Sequence, residues 1–418
     1  MKNTMRCFGL IALAAVIGFS FAACGDGSGN GGGGGGSTHT HTYSTTWSNN
    51  ATQHWHECTA NDGAKTDVAN HTFSGNICSV CNYNNGGDNW TWTAVANSPF
   101  RLYTDSRGDN RVSTIYGIAY GIADGASVGR FVAVGGDARM AYSDDGITWT
   151  GVTVNTIWED TSADEIYCIA YGGGRWVAAG MRGKMAYSSD GVTWTAVADS
   201  TFGTTGIRGI AYGSAGNASG RFVAVGEFGK IAYSSDGITW TAVTDSKITG
   251  QINAIAYGGG RWVAVGDDGQ MASSSDGITW TAVSTGTIWE YTYSDGSSAP
   301  AADITAIVYG NNRFVAGGQN RKMAYSSDGV NWTAVAGNPS GSTWRGIAYG
   351  SASNAGNRFV AVGDYSRMAY SADGVTWVYE DMSLFYLFDN GRDIDGIAYG
   401  NGRFVAVGSS GMMVYADW

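Results

Sequence analysis

Seven times after residue 90 the chain writes the block [GCA]-I-[AV]-Y-G, with its isoleucine at 118, 169, 210, 255, 307, 347 and 397. Each copy is followed by an Arg-aromatic-Val run (RFVAVG, RWVAAG, RFVAGG) that starts at Arg130, Arg175, Arg221, Arg261, Arg313, Arg358 and Arg403. A MAYS-type segment comes next. WTAV-type segments carry Trp at 92, 149, 194, 240, 280, 332 and 377. Apolar and small residues alternate at period two in these pieces, which is the pattern of half-buried strands. One such hairpin cannot bury its own faces, so the copies must stack. Four short strands per repeat, at a spacing of 40 to 52 residues between isoleucines, give an all-β chain: a seven-bladed β-propeller of four-stranded blades over 89–418.

The order of the pieces bears on closure. The array begins with a WTAV segment at 91–95 and ends on its third kind of strand, Val414 to Trp418. Residues 91–95 are therefore expected to supply the outer strand of the seventh blade and remove the open edge. Composition agrees with a turn-rich β protein: 65 Gly, only 3 Pro and 13% aromatics. A net charge of -11 argues against nucleic acid as a partner.

Between the third and fourth strands six copies read S-x-D-G-x-[TN]-W, with Asp at 145, 190, 236, 276, 328 and 373. Asp190-Gly191 is the pair a type I′ turn prefers, with φ > 0 at both residues. The Asp carboxylate is expected to accept backbone N–H groups of its turn, and the Trp to pack between blades. In the same six copies the Arg lies fifteen residues before this Asp. A fixed offset in a hairpin predicts cross-strand Arg–Asp pairs. The segment resembles the Asp box of sialidases and related propellers, one residue shorter between Asp and Gly, and the repeats are also similar to those of photosystem assembly propellers.

The first residues read as a targeting segment. Lys2 and Arg6 precede a short apolar run from Phe8 to Ala23, too short to span a bilayer and remain there. It ends FAAC, which resembles a relaxed lipobox of bacterial lipoproteins. That resemblance implies a signal peptide over 1–23 and a lipid on Cys24, placing the chain at the cell envelope, on the outer membrane or cell surface. Residues 24–38 are a glycine-rich tether.

A small module over 39–88 follows. All five histidines lie between 39 and 71, and Cys58, Cys78 and Cys81 lie beside them. Cys78-x2-Cys81 has zinc-knuckle spacing, and Cys58 with His71, or with either His54 or His56, would complete a tetrahedral set for a structural zinc. A disulfide is the competing reading. The segment looks like small bacterial His/Cys repeats, with Asp62-Gly63 where a further cysteine would stand.

Constant parts build a frame, so the variable linkers are where function is sought. From each Trp to the next block isoleucine the distance runs 26, 20, 16, 15, 27, 15 and 20 residues. These linkers and the turns between second and third strands emerge on one face. They offer Trp158, Glu159, Trp289, Glu290, Tyr291, Trp344, Phe385 and Tyr386 as ligand-binding residues, a mixture that suits a glycan or a protein. The sialidase resemblance implies a glycoside hydrolase as the alternative, and the shorter box implies an assembly factor for a membrane complex. The propeller has no histidine and few glutamates, so a non-catalytic binding or scaffold module, acting as a monomer, is the expected function. Cys168 takes the place of a Gly or Ala and reads as a small core residue.

Overall fold

The computed structural model describes residues 91–418 apart from 102, 105–109, 124–125, 155–156, 159–163, 215–219, 292–298, 337–341, 353–355 and 382–392. It also describes 43, 48–49, 53–57, 65–70, 73–74 and 77–78. The chain divides into two units, Met1–Asn89 and Trp90–Trp418. In the first, Ser48–Asn49, Gln53–Glu57 and Lys65–Asn70 form an antiparallel sheet in that order, and Phe73–Ser74 pairs with Ile77–Cys78. Trp55 is buried, with Lys65 Nζ 3.5 Å from its ring centroid. Cys24, Cys58, His71 and Cys81 lie outside the described residues, as do the side chains of His54 and Cys78, and His56 is half-buried. No helix among the described residues is long and apolar enough to cross a membrane.

The second unit is a ring of seven four-stranded antiparallel sheets, and their innermost strands adjoin one another all the way round, blade seven against blade one. Blade three shows the pattern: Ile207–Gly213 innermost, then Arg221–Gly226, Ile231–Ser234 and Thr241–Ala242. In blade seven the outermost strand is Thr93–Ala94, which pairs with Met412–Asp417 in the register Val414↔Ala94 and Tyr415↔Thr93. Val95 N–H adds a bond of 2.9 Å to Met413 O. The edge is closed as the strand order required.

The apolar core is not central. It is divided among the seams between blades, as in the cluster where Val177 and Met185 of blade two meet Ile207, Phe222 and Trp240 of blade three. The Tyr-Gly pair that ends the innermost strand in every blade but the sixth, where the strand runs on to Ala352, is a seam contact. A Cβ on Gly213 would fall on the ring of Tyr257 in the next blade, and one on Gly400 of blade seven would fall on Tyr120 of blade one. Only glycine admits that approach.

Two local expectations are corrected. The type I′ turns lie between first and second strands, at Gly173-Gly174 (φ 55° and 74°) and Asn311-Asn312 (φ 46° and 55°). In the Asp box only Gly191 is left-handed, at φ 74°, and Asp190 keeps an ordinary φ. Its carboxylate folds over its own turn, with Oδ1 accepting from Val192 N at 2.8 Å, Thr193 N at 2.7 Å and Ser188 Oγ at 2.8 Å. All three bonds converge on one oxygen, so the carboxylate serves its own turn.

The repeated arginine does not pair with the box carboxylate of its own blade, although Arg130 holds the neighbouring Asp144 at 2.6 and 3.1 Å and Arg403 holds Asp417 at 2.7 Å. Arg130 Nη1 donates to the backbone carbonyl of Asp190 in the next blade at 2.8 Å, and Arg175, Arg221 and Arg313 reach Asp236 O, Asp276 O and Asp373 O in the same way. Arg403 makes this bond to Asp145 O and so joins blade seven to blade one. Each of these guanidiniums also lies over a tyrosine of its own blade, as Arg221 does over Tyr233 at 5.0 Å. They fasten seams.

Candidate functional site

Every innermost strand carries a β-bulge. Its partner strand counts one residue where it counts two, so Tyr116, Tyr167, Arg208, Asn253, Thr305, Arg345 and Asp395 each stand outside the ladder. They occupy one ring around the axis, at the end of the innermost strands nearest the linkers. Several neighbours in the ring meet, directly or through the backbone residue beside them. The Tyr116 and Tyr167 rings meet edge-on at 5.6 Å, Arg208 lies 4.2 Å over Tyr167, and Asn253 Nδ2 donates to Ile304 O at 3.1 Å. Thr305 Oγ1 donates to Trp344 O, and Arg345 Nη1 is 3.4 Å from Asp395 Oδ1.

A second ring of polar groups surrounds the first, from the residue before each strand and from the 3-10 turns. Tyr116 OH donates to Glu165 Oε1 at 3.0 Å. Burial pushes the Tyr167 hydroxyl up to about 12, with Glu165 adding to the shift. Arg208 Nη2 holds Glu227 Oε1 at 2.7 Å while Gly206 N–H bonds Glu227 Oε2 at 2.9 Å. The Gly206 amide and Arg208 keep that carboxyl below its ordinary range. Asn253 Nδ2 donates to Asp267 Oδ1 at 3.0 Å.

Between blades six and seven, Arg345 serves three carboxylates: Asp364 through Nε, Asp393 at 3.1 Å and Asp395. Burial pushes Asp395 up to about 7 against the pull of Arg345, and Asp393 and Asp364 add their repulsion. Asp395 Oδ2 has no hydrogen-bond partner among the described residues. Asp303 is raised as well, by burial and then by Asp267 and Asp268, against the bond from Asp268 N–H. The inner rim is thus acidic, and its two arginines are already engaged.

Cations of the turns stand further out and hold the linkers down. Lys184 Nζ bonds the fully buried Asp164 at 2.8 Å, Lys230 Nζ donates to Phe202 O at 2.9 Å, and Lys322 Nζ to Ile288 O at 3.0 Å.

Among the described residues, three of the four aromatics proposed from sequence as ligand contacts are core. Trp158, Trp289 and Trp344 are 0%, 1% and 1% exposed. Each fills a seam, as Phe100, Phe202 and Ile248 do from other linkers. Trp289 packs with Ile304 and Phe314, and Trp344 opens an innermost strand where other blades have Ile. Apolar rings fall into the seams because nothing else there excludes water. Tyr291 is half-buried against the same cluster and Glu290 is exposed, while Glu159, Phe385 and Tyr386 lie outside the described residues. Cys168 is buried, its Sγ 3.6 Å from Ala179 O, and burial pushes its thiol up to about 12.

The bulge ring was missed in the sequence, although it has a signal there. In I-x-[GCA]-I-[AV]-Y-G, x reads Tyr, Tyr, Arg, Asn, Thr, Arg, Asp between nearly constant neighbours.

No family model and no curated protein matches the chain. Solved structures match the fold. YCF48 bound to a D1 peptide is 15% identical with a TM-score of 0.54, covering 79% of this chain and 95% of that one. YCF48 from Cyanidioschyzon merolae is 16% identical with a TM-score of 0.55, covering 78% and 98%. Virginiamycin B lyase from Staphylococcus aureus is 11% identical with a TM-score of 0.57, covering 78% and 98%. At these identities the likeness is one of fold.

Proposed function

We propose that this protein is a non-catalytic recognition propeller, carried at the cell envelope by a lipid on Cys24, that binds a protein partner on its linker face. The carrying observation is the bulge ring: one position in an otherwise repeated strand differs in chemistry from blade to blade, and the fold collects all seven copies at one mouth. A frame needs no such variety, whereas a recognition surface does. A propeller of this fold, YCF48, has been captured with a D1 peptide, which supports a peptide or protein as the kind of ligand. The lyase neighbour has been captured as a catalytically inactive histidine variant with quinupristin, and this propeller contains no histidine at all. Five of its seven repeated arginines are committed to seams, which weighs against a sialidase-like carboxylate site. In the same reading residues 39–88 are held by a structural zinc through Cys58, Cys78, Cys81 and a histidine. Metal analysis of the whole protein tests this, and a disulfide among those cysteines would replace it.

A photo-cross-linking residue tests the function. Placed at the exposed Glu290 on the linker face, it is expected to capture a protein in the native cell. At the exposed Thr279 in an Asp-box turn on the other face, it is expected to capture none. Equal capture from both faces, or glycosidase turnover that Glu290→Gln abolishes, would overturn the reading.

A further inference from the structure

Two blades carry an arrangement that the other five lack. In blade three the bulge arginine, Arg208, grips Glu227, and the next residue, Phe228, is left 76% exposed in the left-handed region at φ 57°. In blade six Arg345 grips Asp364, and Tyr365 follows, 61% exposed at φ 56°. The second carboxylate oxygen takes a backbone N–H in both, from Gly206 at 2.9 Å and from Thr343 at 3.0 Å. A bulky side chain in this backbone region costs free energy that Gly or Asn would not. Water-exposed aromatics at such positions do nothing for the fold, yet the arrangement is present twice. The two blades stand about 150° apart round a seven-fold ring, on opposite rims of the mouth.

We propose that Phe228 and Tyr365 are paired docking points for an extended, Lys/Arg-rich segment of a protein partner laid across the mouth of the channel. The proposal rests on the linker-face function argued above and names the partner's chemistry. Charge supplies the choice of occupant. The rim between the two rings carries Asp267, Asp268, Asp303 and Asp393, while Arg208 and Arg345 already hold Glu227 and Asp364, and an incoming cation relieves the repulsion among these carboxylates. Aromatic faces beside carboxylates are suited to ammonium and guanidinium groups through cation–π contact.

The test uses the whole protein and fluorescein-labelled short peptides: one alternating Arg and Lys with Gly and Ser, one with Glu in place of the cations, and one neutral. The basic peptide is expected to bind, more weakly as salt rises. The double variant Phe228→Gly, Tyr365→Gly is expected to bind roughly tenfold more weakly with a melting temperature unchanged or raised, because glycine suits both backbones. Equal binding of the three peptides, no binding of the basic one, or binding unaffected by the double variant would overturn the proposal. So would an oligosaccharide, or a second copy of the chain seen by sedimentation, whose binding the same variant abolishes. If Glu290 still captures a protein while the unsubstituted protein fails to bind the basic peptide, the docking points fall and the linker-face function stands.

Discussion

Replacing Asp236 by Ala tests the reading of the Asp box as a closed structural turn. The carboxylate accepts from Ile238 N and Thr239 N at 2.8 Å each and from Ser234 Oγ at 2.9 Å. Two contacts survive the change. Gly237 N–H still bonds Ser234 Oγ at 2.8 Å, and the Asp236 carbonyl still receives Arg175 across the seam. Two charge-assisted amide bonds are therefore lost at a turn that water partly reaches, which puts the loss at about 2 kcal/mol. Burial pushes Asp236 up, but the Thr239 and Ile238 amides and Ser234 outweigh it and leave the pKa below the ordinary carboxylate value. A depressed pKa gives stability that is present above the unfolded value of about 4 and is lost as pH falls through the folded one. The gap between wild type and Asp236→Ala is thus expected to be widest near neutrality and to shrink at acid pH. Urea unfolding followed by Trp fluorescence measures it, with binding of any linker-face partner unchanged. A loss below about 0.5 kcal/mol, within the range of ordinary surface changes, or a gap independent of pH, would refute the argument.

Deleting 89–95 removes the strand that pairs with Val414 and Tyr415 and is expected to produce concentration-dependent aggregation, read by light scattering; a monomeric, equally stable product would contradict the closure. Asp395 faces Arg345, Asp393, Asp364 and Tyr116, and its pKa of about 7 is raised, so it favours folding below about pH 4 and costs stability as pH rises to 7. Asp395→Asn should therefore gain roughly 2–4 kcal/mol relative to wild type between acid pH and pH 8, and a difference constant with pH in urea unfolding would contradict this. Trp289→Ala is expected to cost about 3–5 kcal/mol by emptying a seam, whereas Tyr291→Ala, half-buried at the edge of the same cluster, should cost much less; the order is read from unfolding midpoints.

Seven blades, four strands in each and the closing role of 91–95 were legible because they are written locally. Period-two alternation places each strand, and the phase of the first and last copies places the seam. Contacts between copies were not legible. Arg175 lies fifteen residues before Asp190, and the structure sends it instead to Asp236 of the next blade. A repeat makes contacts within and between copies look alike in sequence, and only the stacking of blades chooses between them. Trp158 and Trp289 belong to the same case. An aromatic in a linker of irregular length reads the same whether it faces solvent or a seam, and burial decided for the seam. The bulge ring is the converse. Tyr116, Arg208, Arg345 and Asp395 lie far apart in the chain, on strands whose local pattern assigns them no special place. One extra residue per strand frees them from the ladder, and closure of the ring brings them to one mouth, so their chemistry as a group exists only in the tertiary structure.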